Sequence, residues 1–156
     1  MLIRIAFCSI GALMLTVSAA AAAADQNCKP VVGHFEAHVV PPPDCLAPFC
    51  SAGRVWGGIQ GTYTFAMTTI VPSGAVPSIM FFTGQSAITL KSDDLLYGTD
   101  TGALDLGPLG GFASLITFTG GTGNMAGATG QIRLRGELDP VEGTTSGDYL
   151  GTLCTP

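Results

Sequence analysis

The chain has 156 residues, 47% of them hydrophobic and 11% charged, with 22 glycines and a formal net charge of −5. Its few basic residues form no cluster that could neutralise several phosphates, which excludes nucleic acid as a partner class. Glycine and threonine are too abundant beyond the N-terminal region, and helical periodicity too absent, for a fold built on long helices.

The chain opens with Arg4, an apolar run from Ile5 to Val17 and an alanine tract that ends at Ala24 before Asp25. A positive start, an apolar centre and a small-residue end are the parts of a secretory signal peptide, so residues 1–24 are expected to be removed between Ala24 and Asp25. The apolar run is shorter than the ~20 residues of a spanning helix. Residues 25–156 then form one domain, with five basic residues against eleven acids and a net charge of −6. No later segment could span a bilayer as a helix, and the expected destination is the periplasm or the extracellular space. Four cysteines survive processing, Cys28, Cys45, Cys50 and Cys154, and an even number in an exported chain favours two disulfides. Of the three possible pairings, Cys45–Cys50 with Cys28–Cys154 is favoured, the first closing a local loop and the second tying the ends together. Zinc is disfavoured by the Cys45–Cys50 spacing, and no cofactor is expected.

The first predicted strand runs from Val31 to Val40, with Phe35, Ala37 and Val39 on one side and His34, Glu36 and His38 on the other. Pro41 to Pro43 stop it, and an irregular loop extends to Gly53. Alternation resumes from Val55 to Ile70 around Tyr63, Phe65 and Met67, with bends at Gly57, Gly58 and Gly61. Pro72 to Pro77 is a turn, and Ile79 to Leu90 is a strand, or a hairpin broken at Thr83-Gly84-Gln85. A further strand begins at Asp93, and Gly98–Leu106 and Phe112–Thr119 flank a glycine- and proline-rich connection. The glycine-dense run Thr119–Gly130 passes into strict alternation, Gln131, Arg133, Arg135 and Glu137 facing one way and Ile132, Leu134 and Leu138 the other. Gly147 to Cys154 is the last strand. About eight strands at short spacing predict an all-β fold, an antiparallel β-barrel or sandwich.

The run Gly120-Gly-Thr-Gly-Asn-Met-Ala-Gly-Ala-Thr-Gly130, the alternating strand after it, Leu138-Asp139-Pro140 and the closing Gly147-x-Tyr149-x-Gly151-Thr152 resemble uncharacterised exported bacterial proteins. Those in turn resemble the allene oxide cyclase and dirigent barrel superfamily, with Met125 standing where the family run has an aromatic residue. The resemblance is strongest from Phe112 to Cys154. It implies an eight-stranded antiparallel barrel with an apolar interior that binds or steers hydrophobic small molecules. It carries over no catalytic residue.

His34-x-Glu36-x-His38 is a tempting metal motif, yet alternate strand residues place the two histidine Cα atoms ~13–14 Å apart, too far to share one ion, and a solvated strand face is expected. Gly121-x-Gly123-x-x-x-Gly127 precedes a strand rather than a helix, so it lacks the dipole that a phosphate loop needs. Asp93, Asp94, Asp100 and Asp105 read as turn and strand-edge carboxylates, Asp100 and Asp105 facing opposite sides of a regular strand. The catalytic candidates are Glu36, Asp105 and Tyr63, any of which would matter if it faced the interior. Tyr63, Phe65, Met67, Phe81 and Phe118 are the candidates for lining an apolar pocket; together with Phe82 and Phe112 they either fill the barrel or leave it open. The expected function is non-catalytic binding of a small hydrophobic molecule, because no convergent polar groups are legible. The alternatives are a cyclase or isomerase acting on a hydrophobic substrate, and a structural or adhesive envelope protein.

Overall fold

A computed structural model describes residues 27–107 and 110–156. The expected signal peptide and its cleavage site lie outside the described residues. Eight strands, β1 (Asn27–Val39), β2 (Cys50–Gly57), β3 (Gly61–Pro72), β4 (Ile79–Leu90), β5 (Leu95–Asp105), β6 (Gly111–Gly121), β7 (Thr129–Asp139) and β8 (Thr144–Thr155), pair antiparallel in sequence order. Because β1 also pairs with β8, the sheet closes into a barrel with no free edge.

Closure makes every strand two-sided, and the alternation in the sequence follows from it. On β4, Phe82, Gly84, Ser86 and Ile88 face inward, and on β7 Ile132 and Leu134 do so while Arg133 and Arg135 face solvent. The stretch Val55–Ile70 is two strands rather than one, since Gly57, at φ +111°, turns the chain out of β2 and Gly61 begins β3. Ile79–Leu90 is one unbroken strand: Gly84 does not turn the chain but lies beneath the ring of Phe65. Cys50–Gly53, expected in a loop, belongs to β2, where it pairs with β3. The glycine-dense run forms a 3-10 turn at Gly123–Met125 between β6 and β7. Asp94 receives hydrogen bonds from Ser92 and, at 2.9 Å, from Asn124, which fastens this turn to the β4–β5 connection and holds the carboxyl below its usual range.

The two ends of the barrel differ. At one end, where β1 begins and β8 finishes, Val31, Ile59, Leu96, Ile116, Phe118 and Tyr149 close the interior. Across this seam Cys28 and Cys154, directly opposed in register, are joined by a disulfide. At the other end the connections β1–β2, β3–β4, β5–β6 and β7–β8 surround an opening, and Cys45 and Cys50 are joined in the first of them. We call this end the mouth.

Candidate functional site

Below the mouth, inward-facing residues of all eight strands leave a cavity of about 60 Å³, with Phe35, Tyr63, Phe65, Met67, Phe82 and Leu104 among its walls. Aromatic rings pack against one another, Phe65 edge to face on Phe82 with centroids 5.7 Å apart and Phe35 tilted against Phe112 at 5.8 Å. Phe82 can lie flat only because Gly102 is beneath it: a Cβ there would approach the ring to 2.5 Å.

In this apolar wall stands one carboxylate. Asp100 faces inward from the middle of β5 and is 2% exposed. Ser114 Oγ on β6 donates to its Oδ1 at 3.2 Å, while Oδ2 has no hydrogen-bond partner. On the other flank, Ser86 Oγ of β4 donates to the Tyr63 hydroxyl at 3.2 Å. The register explains the grouping: Asp100 is opposite Gly84 on β4 and Ile116 on β6, so Ser86 and Ser114 are its diagonal neighbours. Burial pushes the Asp100 carboxyl up to about 6, against the pull of the Ser86 and Ser114 hydroxyls. Burial, and next the negative charge of Asp100, raise the Tyr63 phenol well above its ordinary value. A carboxyl raised by burial thus lies beside a phenol that stays protonated, both lining one mostly apolar space.

The structure redistributes the residues singled out in the sequence. Tyr63, Phe65 and Met67 line the cavity. Phe118 is buried in the closed end, four residues or ~13 Å along β6 from Ser114, in the part of the interior that is filled. Phe81 is 49% exposed on the outer wall, because strand alternation lets only one of two consecutive phenylalanines face inward and Phe82 takes that place. Glu36 is exposed on the outer face of β1. Asp105 lies at the end of β5, where it accepts the Gly107 N–H at 2.8 Å, and that bond and one from Ser78 hold its carboxyl low. Neither carboxylate faces the interior, and the strand-edge reading of Asp100 is corrected: it is the buried one. His34 pairs instead with Asp148 across the β1–β8 ladder at 2.5 Å. Among the described residues no three His, Cys, Asp or Glu side chains converge as a metal site.

Asp100 had a sequence signal. It has the same parity as Leu96 and Leu104 on one strand, and those two leucines face the core. Its setting, Gly98-Thr-Asp-Thr-Gly102, imitates a turn because both glycines are spacers beneath interior side chains.

No family model matches the chain. No curated protein matches it either. Among solved structures, a pterocarpan synthase dirigent protein is similar over 86% of this chain and 88% of its own, at 10% identity and a TM-score of 0.38. No helix among the described residues is long and apolar enough to cross a membrane.

Proposed function

We propose that this protein is an exported barrel that binds a small, mostly apolar molecule at its mouth, with a polar group of that molecule on Asp100. A buried carboxylate in the lining of a mostly apolar cavity, whose Oδ2 has no hydrogen-bond partner, carries this reading; Ser51, Tyr63 and Thr145 are the other polar side chains of that lining. A buried polar atom without a partner is costly, and a ligand that supplies one recovers that cost. The cavity is smaller than the ~300 Å³ of ordinary ligand pockets, so it suits the polar end of a ligand whose body rests on Phe49, Phe112 and Leu138 at the rim. Export accords with two disulfides and with the leader expected at residues 1–24.

A second reading, a cyclase or isomerase, is favoured by one observation: Asp100, raised by burial towards the range of a general base, and the protonated Tyr63 phenol line the same cavity. In that chemistry Asp100 takes a proton from a substrate and Tyr63 donates a hydrogen bond to the oxygen that gains charge.

Native against denaturing mass spectrometry on protein from an exporting host tests the proposal. The expected result is a chain starting at Asp25 and four hydrogens light, carrying an apolar compound of roughly a few hundred daltons. Absence of cargo, together with failure to take up any added apolar probe, overturns it.

A further inference from the structure

We propose that the ligand is a cation, a protonated amine on an apolar body, whose ammonium group sits against the free oxygen of Asp100. This rests on the binding function proposed above and names its substrate class. Two independent placements of charge carry it.

The first lies inside. Asp100 is buried with the Ser114 hydroxyl on Oδ1 and the Ser86 hydroxyl close enough to pull on the carboxyl, Oδ2 has no hydrogen-bond partner, and every described Lys, Arg and His side chain of the chain is exposed. A buried carboxylate is ordinarily paired with a cation or several donors, because desolvation leaves its charge uncompensated otherwise. Here the fold supplies no internal cation. A neutral hydroxyl could fill the hydrogen-bonding position, but an ammonium group fills it and also balances the charge. The 60 Å³ beside Asp100 admits a headgroup of a few atoms.

The second lies outside. The mouth connections carry Asp44 and Glu142, with Asp105 at the end of β5 and Asp139 at the end of β7 beside them, and no Lys, Arg or His among their described residues. His38 is on the outer wall of β1 just below. The same connections expose apolar side chains: Leu46 at 97%, Val141 at 89%, and Val76 and Leu106 at about half. An entrance that is at once anionic and apolar attracts a cationic amphiphile and repels a fatty acid or other anion. Lys29 and Lys91 are at the opposite end. Among groups packed around Asp100, β4 presents Ser86 and β6 presents Ser114, and β3 presents Tyr63, the one titratable neighbour.

Hexylamine and 1-hexanol, matched in length and differing in charge, are titrated by calorimetry into the wild-type protein at pH 7.5 and pH 5, and into Asp100→Asn at pH 7.5. The expected result is a Kd for the amine at least ~10-fold lower than for the alcohol at pH 7.5, the preference shrinking several-fold at pH 5 as Asp100 takes a proton and disappearing in Asp100→Asn. The pH arm uses the unaltered chain, so it stands even if the variant folds poorly. Equal binding of both probes at pH 7.5 overturns the cation proposal and leaves apolar binding in place. An amine preference that persists at pH 5 and in the variant assigns the charge recognition to the rim acids and overturns the role of Asp100. Failure of both probes to bind overturns the binding function and this inference with it.

Discussion

Tyr149 of the last strand holds Ile59, 90 residues earlier, by both of its backbone groups: the Ile59 N–H donates to the phenolic oxygen at 2.8 Å, and the hydroxyl faces the Ile59 carbonyl at 3.1 Å. The Trp56 carbonyl, 3.2 Å away, shares that proton. One buried phenol thus fixes the β2–β3 turn over the closed end of the barrel. Its hydroxyl has the room it needs because Gly33, directly opposite on β1, has no side chain.

Tyr149→Phe keeps the ring and strands the Ile59 N–H in the interior. The expected loss is roughly 1–3 kcal/mol in urea unfolding, with an unchanged far-ultraviolet spectrum. A variant as stable as the parent would mean that solvent reaches this turn.

Asp100 sets a pH dependence of unusual sign for a carboxylate. Its folded value of about 6 lies above the unfolded one, so the native state binds more protons between about pH 4 and pH 6, and stability falls as pH rises through that window. The full difference is on the order of 3 kcal/mol. Asp94 and Asp105, held low by their hydrogen bonds, act in the opposite sense: their contribution is present above the unfolded carboxylate value and lost as pH falls below it. The cleanest comparison is therefore parent against Asp100→Asn. The variant is expected to be the more stable at pH 7.5, by an amount that shrinks towards pH 4. A gap of constant size across that range would remove burial of the charge as its cause.

The two disulfides differ in the length of chain they close, 126 residues for Cys28–Cys154 and 5 for Cys45–Cys50. On the chain-entropy model, replacing the first pair by serine costs about 4–5 kcal/mol and replacing the second about 2 kcal/mol. Equilibrium unfolding of the two variants measures the order. The reverse order would show that the mouth loop contributes more to stability than its closure entropy alone.

Strand parity and turn chemistry made much of the barrel legible, since alternation at Phe35, Tyr63 and Ile132 reports which side of a strand is wet. Parity does not report depth. Phe118 and Phe112 have the same parity on one strand, yet one closes the sealed end and the other borders the cavity. Nor does it report which of two alternating sets faces inward when both are polar, as at Thr99-Asp100-Thr101. That choice was made by the leucines four residues to either side and by the serines of β4 and β6, which only the register brings together.

The seam between β1 and β8 has a practical side. Asn27 and Thr155 are register partners, so the described chain starts and finishes at one place, diametrically away from the acidic entrance. A reporter, an affinity handle or a surface tether attached beside Asn27 or Thr155 would stand clear of the mouth. Joining Asn27 to Thr155 and cutting the polypeptide at Val141 instead would yield a permuted barrel whose new ends frame the mouth.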